Sequence, residues 1–166
     1  MATLSDTAGF LGNVRLFKTV GAADREALAQ RLRERTLRKG QILLREGEQG
    51  DEMFIVRRGM MIISKRVTGN VEQVLARAGP GDFFGDMSLF DRSPRSATIS
   101  AETDATLLVL DPENLRRLTE VNPGAAAAFF HALVLVFIER LRESGNLVAE
   151  VTRWGLEATG LDMEPR

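Results

Sequence analysis

Residues 83–100 read FFGDMSLFDRSPRSATIS. One carboxylate, Asp86, and one guanidinium, Arg95, stand nine positions apart around a hydroxyl-rich turn. Gly85 permits close backbone approach, and the residues from Asp86 to Phe90 suit a single helical turn. Free N–H groups at the start of such a turn attract an anion. Pro94 restrains the residue before it, which fixes the chain just ahead of Arg95, and a guanidinium grips two phosphate oxygens at once. Asp86 accepts hydrogen bonds only, so it repels a phosphate but takes a neighbouring hydroxyl. A phosphate beside a hydroxyl describes a ribose ring carrying a phosphate. The same two residues also make sense as a plain Asp86–Arg95 ion pair across a loop.

Around this stretch the chain runs helix, strands, helix. Ala27, Leu28 and Leu32 fall at helical spacing and predict a helix from Asp24 to Arg35, with Ala22-Ala23-Asp24 as its N-terminal cap. From Lys39 onward the segments QILLREG, EMFIVRRG, MIISKRV, VEQVLARAG and SATISAE are short and rich in Ile, Val, Phe and Thr. Glycines at 40, 47, 50, 59, 69, 79, 81 and 85 punctuate them. Short strands with glycine-marked turns predict a sandwich or barrel. Thr106–Leu110 is the expected last strand. Asp111 and Pro112 then occupy the N-cap and first position of a helix running to about Val121, and a further helix begins at Asn122-Pro123.

That last helix carries Phe130, Val134, Phe137, Leu141, Ser144, Val148 and Val151 at alternating spacings of four and three, a heptad seam. Its first half is apolar nearly all round, so it needs cover on more than one side. Packing wholly on its own barrel and pairing with a second copy both satisfy that need; a homodimer is the favoured expectation.

Composition narrows the rest. With 166 residues, 44% hydrophobic and 27% charged, the chain has the make-up of one globular domain. A net charge of −1 gives no field toward nucleic acid or anionic lipid. The absence of Cys and the presence of a single His exclude thiolate metal sites, a cysteine nucleophile and a multi-histidine centre within one chain. His131 lies between Phe130 and Ala132 and suits a core or interface role. The longest apolar stretch, Ala125–Ile138, is interrupted by His131 and falls short of the ~20 residues of a bilayer span. The expected location is cytoplasmic, away from membranes. No nucleophile–base pair emerges, so no enzyme, cofactor or metal is expected.

The quoted stretch, extended to FFGDMSLFDRSPRSATISAETDATLLVLD, resembles the phosphate-binding cassette of the cyclic-nucleotide-binding domain family, with its pattern F-G-E-(L/M)-(A/S)-L followed by P-R-(A/S/T)-A-T-(V/I). VRLFKTV, RKGQILLREGEQGDEMFIVRRGMMIIS and GPGD match upstream. LVLDPENLRRLTEVNP and a helix containing ERLRE match downstream. The resemblance spans about residues 14–145. It implies an α+β fold: a jelly-roll β-barrel, or double-stranded β-helix, with an N-terminal helix and two C-terminal helices. The corresponding division is an N-terminal extension (1–13), a β-roll with flanking helices (14–122), a long lid or dimerisation helix (123–155) and a tail (156–166).

The resemblance further implies a cyclic mononucleotide ligand, cyclic AMP or cyclic GMP, with the adenine form slightly favoured. Gly85, Asp86 and Met87 then supply backbone N–H groups to phosphate. Asp86 stands where the family's Glu accepts the ribose 2′-hydroxyl, and Arg95 neutralises the phosphate. Phe84, Ser88, Ser96 and Ala97 line the pocket, Thr98 adds a contact, and Trp154 is a candidate lid over the base. Asp in place of Glu shortens the arm by roughly 1.5 Å. Either the backbone shifts, a water bridges, or ribose is no longer held; a ligand-free dimeric scaffold of the same fold is the alternative. Family transcription factors add a helix-turn-helix, but only about a dozen residues follow Trp154, so no DNA is expected and occupancy is expected to pass to a partner protein. The run Arg31, Arg33, Arg35, Arg38 and Lys39 is expected to be a solvated face.

Overall fold

Among residues 3–69 and 71–159, which the computed structural model describes, eight strands form two facing four-stranded sheets. In chain order the strands are β1 (Arg33–Leu37), β2 (Ile42–Leu44), β3 (Met53–Arg58), β4 (Met61–Thr68), β5 (Val71–Ala78), β6 (Phe83–Phe84), β7 (Thr98–Ala101) and β8 (Ala105–Leu110). One sheet runs β1-β8-β3-β6 and the other β2-β7-β4-β5, with every pairing antiparallel. This is the expected jelly roll with flanking helices. Gly59, at φ +90°, shows why the turns need glycine: a Cβ there would lie 2.4 Å from the Asp104 carbonyl oxygen.

The helices are α1 (Leu4–Leu11), α2 (Ala22–Ala29), α3 (Ser88–Asp91), α4 (Pro112–Val121) and α5 (Pro123–Thr159), with a 3-10 turn at Arg15–Phe17. Asp111 caps α4 by accepting from the Asn114 N–H at 2.8 Å, with Pro112 at the helix start, as the sequence predicts. The helix expected over Asp24–Arg35 is shorter: α2 ends at Ala29, its cap is Gly21, and residues from Arg33 enter β1. Arg33–Leu37 pairs residue for residue with β8, and that ladder outweighs the helical propensity of Arg and Glu. The basic run is therefore a strand and its turn, with Arg33 paired to Glu52 at 2.6 Å.

The sheet containing β3 and β8 separates two cores. Phe54, Val56, Leu107 and Val109 face the barrel interior, joined by Phe84 and Ile99. Met53, Ile55, Leu108 and Leu110 face the opposite way, toward α1, α2, α4 and α5. Strand alternation alone produces this division. Leu11 of α1, within the segment expected as an extension, is fully buried in the helical core. Phe17 stacks on Phe129 of α5 at 5.7 Å, and Arg15 pairs with Glu139. α5 is long and apolar enough by composition to cross a bilayer, yet Phe129, Leu133 and Val136 are committed to the chain's own core. His131 faces solvent rather than the core. From Leu141 to Thr159 every residue of α5 is exposed.

Candidate functional site

Between β6 and β7 the chain makes the turn that the sequence singled out. Gly85 adopts φ +77°, a conformation that L side chains rarely take. A Cβ there would lie 2.7 Å from the Glu52 carbonyl oxygen and 2.9 Å from Arg95 Nη1. The helical turn α3 follows at Ser88–Asp91, and Arg92 closes it in the left-handed region at φ +53°. The N–H groups of Gly85, Asp86 and Met87 make no loop hydrogen bond among the described residues.

Arg95 is brought into the barrel by its own backbone. Its N–H donates to the Glu48 carbonyl and its carbonyl accepts from the Gly47 N–H, at 2.9 and 2.8 Å. The side chain is buried, 6% exposed. Nη1 donates to the Glu52 carbonyl at 2.9 Å, and the guanidinium lies 5.8 Å from the Phe54 ring centroid. Nε has no partner. Gly50 makes room for this arrangement, since a Cβ there would sit 2.7 Å from Nη2. Burial pushes the Arg95 pKa down, and the nearby Glu52 and Asp51 carboxylates oppose that shift.

Asp86 does not pair with Arg95. Its carboxylate, 3% exposed, accepts from Arg140 Nη1 on α5 at 2.7 Å. The Arg140 guanidinium also lies 5.3 Å from the Phe83 ring centroid. The plain ion-pair reading of the two cassette charges is thereby overturned: each has a different partner.

Phe84, Gly85, Asp86, Met87, Ser88, Arg95, Ser96 and Ala97 line one cavity of about 310 Å³. Leu44, Ile63, Phe83, Ile99 and Arg140 complete it. The lining therefore combines two guanidinium groups, one carboxylate and the aliphatic side chains of Leu44, Ile63 and Ile99. Two expected residues lie elsewhere. Thr98 alternates with Ile99 along β7, so when Ile99 lines the cavity Thr98 faces outward, accepting from the Glu46 N–H at 3.1 Å. Trp154 lies fourteen residues beyond Arg140 on α5, about 21 Å at 1.5 Å per residue, and is exposed rather than over the cavity. Leu44, Ile63, Phe83 and Ile99 were not among the expected site residues, and Arg140 is the charged one that the sequence reading passed over. Its signal was present in ERLRE, Glu139–Glu143, without a role attached.

The cyclic nucleotide-binding domain family matches residues 34–122, more than half of the chain. The chain belongs to that family. A cyclic nucleotide-gated potassium channel of Mesorhizobium japonicum is 38% identical over 116 residues, 70% of this chain and 31% of the channel. The catabolite activator protein of Thermus thermophilus superposes with a TM-score of 0.77 at 28% identity, over 83% of this chain and 63% of that one. The regulatory domain of Toxoplasma gondii PKA, crystallised with cAMP, superposes with a TM-score of 0.65 at 26% identity, over 70% and 45%. The chain spans less than two thirds of the length of each of these relatives.

Proposed function

We propose that this cyclic nucleotide-binding domain senses a cyclic mononucleotide and converts its binding into movement of α5. The observation that carries this reading is Arg95, a buried guanidinium at the cavity with an unpartnered Nε. A buried donor without an acceptor is costly, and a cyclic phosphate supplies acceptors there. Gly85, Asp86 and Met87 bring backbone N–H groups to the same anion. The ribose 2′-hydroxyl then donates to Asp86, and the base lies toward Leu44, Ile63 and Ile99. Cyclic AMP is the first ligand to test, as the one named with the related kinase regulatory domain. Nothing in this chemistry calls for a catalytic group.

Asp86 gives the mechanism its link to the helices. The ribose hydroxyl competes with Arg140 for a carboxylate already in use. Loss of that contact frees α5 at the residue next to Glu139, which remains tied to Arg15. The joint at Asn122 permits a swing, because it is non-helical at φ −137°, ψ 76° and still caps α5 through the Ala125 N–H. The exposed half of α5 carries the change outward, to a second copy along the heptad seam and to a downstream protein. A cytoplasmic setting suits such a receptor.

One observation favours a second reading. Asp86 is satisfied by Arg140 without any ligand, as in a domain that has become an interaction scaffold. Isothermal calorimetry with cyclic AMP and cyclic GMP separates the two. Saturable heat at micromolar nucleotide, lost on Arg95→Ala, supports the sensor; no heat at millimolar nucleotide supports the scaffold.

A further inference from the structure

The basic run that begins at Arg31 takes no part in the nucleotide cavity. Its strand, β1, lies at the edge of its sheet, with β8 on one side only. Beyond that ladder the backbone of Arg33–Leu37 makes no hydrogen bond among the described residues. Of the five residues only Leu37 is buried, in the barrel core. An open edge of this kind presents N–H and C=O groups that can pair with another chain.

A hollow of about 650 Å³ opens at the end of the strand. Thr36, Arg38, Gln41, Arg58, Asp104 and Thr106 supply its polar lining. Thr36 stands opposite Thr106, and a register shift after Val56 sets Arg58 opposite the same threonine from the other side. Arg38 and Arg58, with Arg35 and Lys39 beside them in sequence or sheet, form no ion pair among the described residues. Gln41 uses its side-chain oxygen to accept from the Arg38 N–H at 3.0 Å and is left with its amide donors. The carboxylate of the lining, Asp104, already accepts from the Lys39 N–H at 2.8 Å. Such a lining calls for a negatively charged group that only accepts.

The edge decides what carries that group. Nucleic acid has no amide backbone with which to extend a sheet, and Glu34 and Asp104 interrupt the cations that a run of phosphates would need. A second copy of β1 is equally unsuited. Antiparallel pairing centred on Arg35 sets that residue against itself, like charge against like. An extended acidic peptide meets both demands: its backbone continues the sheet, and its carboxylates reach the unpaired guanidinium groups.

We infer that the open edge of β1 binds an acidic, extended segment of a partner protein, whose side chains enter the hollow at Arg38 and Arg58. The contact lies apart from the nucleotide cavity and does not depend on the sensor reading.

The probe is a fluorescein-labelled peptide of alternating Glu and Thr, about ten residues long and so able to span β1 at ~3.4 Å per residue. Its anisotropy is titrated with the full chain, beside a Lys-for-Glu control and a labelled DNA duplex. Saturable binding of the Glu peptide is expected at sub-millimolar protein, with none of the control, weakening about fivefold between about 50 and 200 mM salt. Arg38→Glu with Arg58→Glu changes two exposed side chains. It is expected to weaken peptide binding at least tenfold and leave circular dichroism and the nucleotide titration as in wild type. Backbone pairing has its own readout. Two versions of the peptide, N-methylated on the Glu or on the Thr residues, keep every charge, and at least one is expected to lose binding tenfold. No binding of the Glu peptide, tighter binding of the duplex, or a double variant that binds like wild type overturns the proposal. Two methylated peptides that both bind like the parent overturn it as well.

Discussion

Arg140 Nη1 donates to Asp86 Oδ2 at 2.7 Å, joining α5 to the cassette turn across 54 positions of sequence. One partner is almost fully buried and the other nearly half exposed. Removing Arg140 leaves a carboxylate without its cation in a closed site. Because Arg140 is partly solvated, Arg140→Ala is expected to cost the unliganded protein about 1–2 kcal/mol, below the range for a fully buried pair. The same variant removes the competitor for Asp86, so cyclic nucleotide binding is expected to tighten by about tenfold. Denaturant melts and calorimetry measure the two effects, and a variant that weakens both sinks the competition mechanism.

Asp86 makes a separate prediction about the sugar. If its carboxylate holds the ribose hydroxyl, wild type prefers cyclic AMP over its 2′-deoxy analogue by about 1.5–3 kcal/mol, the range for a hydrogen bond to a charged group. Asp86→Ala is expected to bind both analogues equally. A wild-type protein indifferent to the hydroxyl shows that the shortened arm does not reach.

Arg95→Ala is expected to cost about 2–5 kcal/mol of nucleotide binding, as for truncating one partner of a buried charged pair. Gly50→Ala approaches the same group from behind. Its new Cβ would fall 2.7 Å from Arg95 Nη2, so the guanidinium must shift. Binding is expected to weaken at least tenfold while the barrel stays folded. Calorimetry beside circular dichroism checks this; unaltered affinity means that Arg95 does not position the phosphate.

Asn122 links three elements. Its side-chain amide donates to Asp24 of α2, and its oxygen accepts from the Ala125 N–H at 3.1 Å. Asn122→Ala is expected to cost about 1 kcal/mol, the typical worth of a cap, and to lower Tm by about 2–4 °C for a chain of this size. Differential scanning calorimetry provides the measurement, and an unchanged Tm removes the joint from the list of stabilising contacts.

Acid reaches the cassette turn through Asp91. Hydrogen bonds from Ser93 hold the Asp91 carboxyl below its ordinary value of 3.8, with burial opposing weakly. A lowered pKa means that the folded state prefers the ionised form. Its contribution is full above 3.8 and disappears as pH falls through the lowered value. The Ser93 amide resonance is therefore expected to move only below about pH 4. A midpoint near neutrality contradicts the assignment.

Much of this architecture was legible locally. Asp111-Pro112 announced α4, and the glycines marked the turns, because caps and left-handed backbone depend on the residue itself. Arg33–Leu37 was misread because RERTL has no local signature of a strand; its identity comes from β8, 76 positions away by the Arg33–Val109 pairing. Thr98 entered the expected contacts through the resemblance alone; in the structure Ile99 lines the cavity and Thr98, its neighbour along β7, does not. Arg140 escaped for a tertiary reason. Nothing near it in sequence shows that α5 returns to the cassette, or that Asp86 waits there.

The double-sided burial of β3 has a consequence for how this domain can diverge. Phe54 lies beside the Arg95 guanidinium, and its neighbours Met53 and Ile55 lie in the helical layer, all three without measurable exposure. A substitution that reshapes the ligand side of this strand also displaces the bed on which the helices rest. Ligand preference and resting helix position are thus inherited together through β3. A lineage that retunes specificity without disturbing its output is expected to do so at the aliphatic lining residues Leu44 or Ile63, and leave this partition alone.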